Sequence, residues 1–114
     1  ADLTASVRTL DDVVTMLAED DRAYHLAQVL AQAGAISTEQ ALRVLMQRDV
    51  SGIAVICRSL AISEEAFRAL LELRSRRLYF SSQALDDALR DYKRLDAATA
   101  DRTLRFLKLK TKLN

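Results

Sequence analysis

Residues 23–45, AYHLAQVLAQAGAISTEQALRVL, decide the fold class because they combine two helical patterns with a turn between them. The apolar residues of the first pattern recur at the spacing of one helix face: Ala23, Leu26, Ala27, Leu30 and Ala33. Gly34 follows directly, and glycine is typical of the left-handed residue that ends a helix. Ser37 is a typical N-cap for the next helix. The stretch therefore predicts two helices joined by a short turn.

The same start signal occurs a second time. Ile62-Ser63-Glu64-Glu65 repeats the pattern of Ile36-Ser37-Thr38-Glu39 and predicts that another helix begins there. That helix is expected to end near Arg76-Arg77. Leu78–Ser82 is the clearest break in the helical periodicity. Its aromatic side chains are too apolar for a free linker, so we expect them to pack against the protein.

Aspartate residues mark further helix starts. The first helix is expected at Asp11–Glu19, where acidic residues suit a helix N-terminus. Asp49 is expected to cap a helix in the middle of the chain, and either Asp96 or Thr99 opens the last one. Together the patterns predict an all-α fold of six or seven short helices, packed as a bundle or as stacked helical hairpins.

Composition supports this class. The chain has 114 residues, 2 glycines and no proline, which disfavours folds that need many tight turns. Its length suits a single helical domain over residues 1–114, and its abrupt start suggests that it is excised from a longer chain. The longest apolar run, Ile53–Cys57, is far shorter than the ~18–20 residues of a membrane span. With no secretory signal visible, we expect a cytoplasmic location.

The formal net charge of +1 hides two opposed halves. Residues 1–57 carry 4 basic and 8 acidic side chains, a balance of −4, whereas residues 58–114 carry 13 and 8, a balance of +5. One interpretation is that the acidic first helix and the basic last helix are neighbours, or that both faces are simply solvated. The other is a basic surface for nucleic acid, an anionic membrane or an acidic partner. Six residues are candidates for such anion binding: Arg74, Arg76, Arg77, Arg105, Lys108 and Lys112.

The last predicted helix has two apolar stripes. At ~100° per residue, one stripe is formed by Ala100, Leu104 and Leu107. The other stripe is the candidate partner-binding surface, formed by Phe106, Leu109 and Leu113. Such a helix is either buried on both sides within the monomer or offers one stripe to a partner or a second copy. A third alternative is that residues 108–113, which alternate in polarity, fray or pair as a strand.

Catalytic chemistry finds little support in the sequence. It has no nucleophile elbow, phosphate-binding glycine loop or zinc-protease motif, and we predict that it is not an enzyme and has no small-molecule substrate. His25 follows Asp21 by four residues, so the two could pair on one helix face, but they lack a third partner. Cys57 has core spacing and is expected to be a buried structural thiol. We predict no catalytic residues, no cofactor and no metal site.

Several segments resemble the bacterial family called domain of unknown function 2336, found mainly in alphaproteobacteria. They are Asp21–Ala27, Ala33–Ser37, Leu42–Asp49, Leu60–Arg74 and Ala100–Phe106. The similarity spans about residues 21–110 and consists of helical patterns rather than fixed chemical motifs. The resemblance implies a cytoplasmic bacterial helical module, often part of a longer chain. It carries over no established catalytic residues.

Two hypotheses of function follow. The first is a noncatalytic protein–protein interaction or regulatory module, with another protein or a second copy of the chain (a homodimer) as partner. The alternative is an anion-binding domain that contacts nucleic acid or an anionic membrane through its basic C-terminal half. Near-neutral net charge favours the first, because dedicated nucleic-acid binders usually have a strongly basic domain.

Overall fold

The computed structural model describes residues 9–113, and the side chains of residues 9–109. Within this range the chain forms seven α-helices and no strand, which confirms the predicted all-α class. The helices are α1 (Leu10–Glu19), α2 (Ala23–Gly34), α3 (Thr38–Met46), α4 (Ser51–Ser59), α5 (Glu64–Leu78), α6 (Ser82–Arg94) and α7 (Ala97–Leu113).

Side-chain oxygens begin the helices as predicted. Ser37 accepts a 3.0 Å hydrogen bond from the Gln40 N–H at the start of α3, and Ser63 accepts one of 3.1 Å from the Ala66 N–H at the start of α5. Asp96 accepts a 3.0 Å bond from the Thr99 N–H, so it caps α7. Each bond satisfies a backbone donor that the first helical turn leaves without a partner.

Asp49 was predicted to cap α4, but it lies one residue before the N-cap, which is Val50. Its carboxylate accepts hydrogen bonds from both the N–H and the hydroxyl of Ser51, the first residue of α4. These bonds favour the charged carboxylate, and they lower the pKa of Asp49.

The end of α2 differs from the prediction. Ala35 (φ 58°, ψ 44°), not Gly34, adopts the left-handed conformation, and its N–H donates to the Ala31 carbonyl. Gly34 is the last helical residue and is buried, whereas Ala33, which was expected on the buried face, is exposed. The helix runs one residue further than the glycine signal indicates, so the strained position falls on an alanine.

The main core brings together residues from α1 to α6. Its fully buried members include Leu26 and Leu30 of α2 and Phe67 and Leu70 of α5. Helix α1 packs against α5 and α2, α2 packs against α3, and α5 packs against α6. Tyr92 of α6 completes this core.

Tyr92 joins α6 to α5. Its ring stacks on Phe67 with centroids 4.0 Å apart, and its hydroxyl donates a 2.6 Å bond to the Ile62 carbonyl. This satisfies the polar end of a side chain that is otherwise buried. Together with Ala88 and Leu89, which are also buried, Tyr92 forms the apolar face of α6.

Helix α4 has apolar side chains on two sides. Ile53 and Cys57 belong to the main core, whereas Val55 and Ile56 form a smaller cluster with residues of α7. The last helix therefore attaches to the domain mainly through α4. No described helix is both long enough and apolar enough to cross a membrane.

Gly52 lies in the first turn of α4, where α3 approaches closely. A Cβ atom at this position would lie 2.9 Å from the Gln47 amide nitrogen and 3.0 Å from a Val44 methyl carbon. The missing side chain therefore allows the two helices to meet.

Candidate functional site

The inner stripe of α7 holds the helix on the domain. Ala100 and Leu104 are buried against Val55 and Ile56 of α4. The Ser59 hydroxyl also donates to the Asp101 carboxylate, which fixes the first half of α7. Further along, burial decreases, and Leu107 is 39% exposed.

Helix lengths explain this loss of burial. At about 1.5 Å per residue, the 17-residue α7 is about 25 Å long, whereas the 9-residue α4 is about 13 Å long. Helix α4 is the main neighbour of α7. Since α4 is about half as long, it cannot cover α7 along its full length.

The outer stripe of α7 is exposed on the domain. Phe106 is 65% exposed and Leu109 is 57% exposed. Leu113 belongs to the helix, but its side chain lies outside the described residues, as does that of Lys112. Burial of this stripe within the monomer is therefore wrong for the part described, because Phe106 and Leu109 are exposed. Residues 108–113 continue the helix, so pairing as a strand is also wrong.

A groove runs beside this stripe, between α7 and the turn that joins α2 to α3. Ile36, Ser37 and Gln40 form one wall, Phe106 and Leu109 form the other, and the volume is about 730 Å³. We call this space the α7 groove. It adjoins a second hollow of about 470 Å³ between α3, α4 and α7, which shares Ile36, Gln40 and Lys108 with it.

The charged side chains around these two hollows all have the same sign. Arg105 and Lys108 line the α7 groove, and Arg43 and Lys108 line the adjoining hollow. No acidic side chain of the described residues lines either one. The surface combines an apolar wall with a positive rim.

Arg74, one of the predicted anion-binding residues, is instead part of the core. Its side chain is only 1% exposed. The guanidinium donates hydrogen bonds of 2.6, 2.8 and 3.1 Å to the carbonyl oxygens of Leu45, Gln47 and Arg48 at the end of α3. It therefore satisfies backbone acceptors that a helix end leaves unpaired, and it is not available to an external anion.

Phe80 lies close to Arg74 and Arg48. Its ring centroid is 5.2 Å from the guanidinium carbon of Arg74 and 4.8 Å from that of Arg48. Phe80 is thus half-buried as expected. The expectation is wrong for its neighbour Tyr79, the left-handed residue that ends α5, because its side chain is 88% exposed.

Arg76 and Arg77 fasten the end of α5 to the end of α1. Arg76 donates a 2.7 Å bond to the Ala18 carbonyl, and Arg77 donates to both the carboxylate and the carbonyl of Asp21. Arg76 also lies 3.7 Å from the Asp21 carboxylate. Asp21, just after α1, is therefore paired with the end of α5. The six candidate anion-binding residues do not form one surface, because three belong to α5 and three to α7.

The spacing allows Asp21 and His25 to pair on one helix face, but the described residues form no such pair. Asp21 lies outside α2 with a left-handed backbone (φ 59°), and its carboxylate is directed to Arg76 and Arg77. His25 is exposed, and its ring meets the edge of Tyr24 with centroids 6.1 Å apart.

Cys57 is fully buried in the core, as predicted for a structural thiol. Burial raises the pKa of this thiol and keeps it protonated near neutral pH. Among the described residues, no group of three or more histidine, cysteine, aspartate or glutamate side chains is placed to hold a metal ion.

The role of Arg74 was missed from the sequence, although a signal for it exists. Arg74 follows Phe67, Leu70 and Leu71 at seven, four and three positions, which places it on their helix face. A basic residue at core spacing indicates a buried hydrogen-bonding role rather than a solvated one.

Comparison with known proteins gives a family but no functional relative. No curated protein and no solved structure is significantly similar to the chain. A family model described as "Uncharacterised protein conserved in bacteria (DUF2336)" matches residues 1–105. Since this match covers most of the chain and agrees with the resemblance in the helical segments, the chain belongs to the bacterial family DUF2336.

Proposed function

We propose that this domain is a noncatalytic protein-interaction or regulatory module of the bacterial cytoplasm, and that it binds its partner through the outer stripe of α7 and the α7 groove. The observation that supports this most strongly is the exposure of Phe106 and Leu109 on a well-formed helix beside a groove. Large apolar side chains grouped in this way are typical of binding surfaces.

The energetic argument concerns these two side chains. Fully burying a phenylalanine or a leucine contributes about 1.5–3 kcal/mol each relative to leaving it exposed. A partner that covers Phe106 and Leu109 would therefore gain enough to affect its affinity by orders of magnitude. Aromatic anchors in a pocket are also the usual centres of protein interfaces.

A noncatalytic role agrees with the state of the reactive side chains. The Cys57 thiol is buried, with a raised pKa, so it is a poor nucleophile. His25 lies on the surface, and Asp21, whose spacing would allow a pair with it, binds Arg76 and Arg77 instead.

The test uses the double variant Phe106→Ser/Leu109→Ser in a partner pull-down, together with light scattering of the purified domain. We expect a partner to be retained by the wild-type domain and lost by the double variant. Tyr79→Asn is the matched control, because it removes an aromatic side chain that is also exposed, outside α7. Unchanged assembly and binding in the double variant, with its helical content intact, would contradict the proposal.

A second candidate function, anion binding, is favoured by the basic side chains of α7. Arg105 and Lys108 line the same groove as Phe106 and Leu109, and Lys112 lies further along this helix. The surface is smaller than the sequence indicated, since Arg74 is buried, Arg76 binds Ala18 and Arg77 binds Asp21. Binding to DNA or to phosphatidylglycerol vesicles that weakens steeply with salt would support this function. Absence of binding at low ionic strength would reject it.

A further inference from the structure

We infer that the partner segment that occupies the α7 groove is an acidic amphipathic helix. This inference rests on the proposed function and specifies the chemistry of the partner. It combines three properties of the groove: apolar walls, a rim of one charge, and walls made only of helices and a turn.

The walls require an apolar contact face on the partner. Ile36 on one side and Phe106 and Leu109 on the other present hydrocarbon to the space between them. The stretch of α7 from Thr103 to Leu109, which lines the two adjoining hollows, extends for about 9 Å along the helix axis. A partner helix of two to three turns spans this length and offers apolar residues at i, i+3 or i+4, and i+7.

The backbone chemistry favours a helical partner over an extended one. An extended peptide usually gains affinity by hydrogen bonding to the edge of a sheet. Residues 9–113 contain no strand, so they offer no such edge. A helix satisfies its own backbone donors and acceptors and can enter an apolar groove without leaving them unpaired.

The rim sets the charge of the partner. Arg105, Lys108 and Arg43 are the charged side chains that line the two hollows in the described part of the chain. Glutamate or aspartate residues that flank the apolar face of a partner helix would lie opposite these cations. Complementary charge of this kind speeds association and excludes wrongly charged partners.

Charge argues against one other occupant of the groove, and shape argues against a second. In a symmetric dimer through α7, the surface meets its own copy, so Arg105 and Lys108 of one copy approach those of the other. A bilayer surface can contact the exposed helix but cannot enter the space between Ile36 and Phe106. The experiment below distinguishes a second copy and a membrane from the inferred acidic helix.

The experiment is selection from a displayed library of random 16-residue peptides against the wild-type domain, with counter-selection against Phe106→Ser/Leu109→Ser. The selected peptides are expected to be acidic and to carry leucine, isoleucine or phenylalanine at helical spacing. Their affinity is expected to fall at least about tenfold in the double variant, which corresponds to about 1.4 kcal/mol. Binding is expected to survive in the control Tyr79→Asn.

Charge reversal provides the sharper measurement. In Arg105→Glu/Lys108→Glu, acidic peptides are expected to bind several-fold more weakly, and repeated selection is expected to yield basic peptides instead. Both residues are exposed or half-exposed on α7, so the variant is expected to keep its fold. Circular dichroism and thermal unfolding check this point.

The outcomes distinguish the inference from the function on which it rests. Peptides that need Phe106 and Leu109 but are neutral, basic or extended would overturn the acidic helix and leave the interaction surface in place. If no selected peptide depends on these two residues, both proposals fail. A dimer in light scattering that the double variant abolishes would assign the surface to a second copy and overturn the inference. Sedimentation with phosphatidylglycerol vesicles that needs the same residues would assign it to a membrane, with the same consequence.

Discussion

Arg74 of α5 donates a 2.6 Å hydrogen bond through its Nη1 atom to the carbonyl oxygen of Leu45 in α3. The same guanidinium reaches the carbonyl oxygens of Gln47 and Arg48. One buried cation thus binds one carbonyl in the last turn of α3 and two just beyond it. Burial lowers the pKa of Arg74, and the nearby carboxylate of Asp49 opposes that effect.

We expect Arg74→Met to lower the free energy of unfolding by about 3 kcal/mol, because it leaves three backbone acceptors without their donor in or near the core. Arg74→Lys is expected to recover part of the loss, since an ammonium cannot reproduce the planar arrangement of donors. Arg68→Met is the control on the same helix, because Arg68 is exposed. Urea unfolding followed by circular dichroism measures the three variants, and equal stability of Arg74→Met and Arg68→Met would contradict the assigned role.

Local chemistry explains why much of the fold was predictable. A serine at a helix start acts through an N–H three residues away, so Ser37 and Ser63 could be identified without knowledge of the fold. The left-handed residue that ends α2 was predicted at Gly34 but lies at Ala35. Packing of the whole helix, rather than one residue, decides where it ends. Start signals are local, whereas end positions depend on tertiary contacts.

The site was predictable only in part. Periodicity identified two stripes on α7, but their burial depends on the contact with α4, a helix more than thirty residues earlier. The six basic residues were grouped by charge alone. Charge does not reveal that Arg74 is buried or that Arg77 binds Asp21, since both contacts join residues distant in sequence.

Ala35 provides a test of backbone strain. We expect Ala35→Gly to raise the free energy of unfolding by about 0.5–1 kcal/mol, because glycine adopts the left-handed conformation without the steric cost that alanine bears. Ala33→Gly is the matched control two residues earlier, inside α2 and exposed, where glycine is expected to cost up to about 1 kcal/mol. Thermal unfolding compares the two. The same sign for both variants would show that the conformation at Ala35 carries no strain.

Because the Cys57 thiol is buried, we expect the protein to lose stability at alkaline pH. A free thiol has a pKa of about 8.5, and burial raises the pKa of Cys57 in the folded protein. Above about pH 8.5 the unfolded chain loses this proton while the folded chain keeps it, so stability falls by up to about 1.4 kcal/mol per pH unit. Cys57→Ala is expected to flatten this slope between about pH 8.5 and 10, although it lowers stability at neutral pH. The free energy of unfolding is measured across this pH range in the wild type and in Cys57→Ala. An identical slope against pH in the two proteins would contradict the prediction.

The two stripes of α7 are expected to differ sharply in their effect on stability. Leu104→Ala removes a side chain that is 7% exposed and should lower the free energy of unfolding by about 2–5 kcal/mol. Leu109→Ala removes the same atoms from a side chain that is 57% exposed, so the change should stay within about 0.5 kcal/mol. Urea unfolding of the two variants gives the comparison. A large loss in Leu109→Ala would mean that the outer stripe stabilises the fold rather than remaining available to a partner.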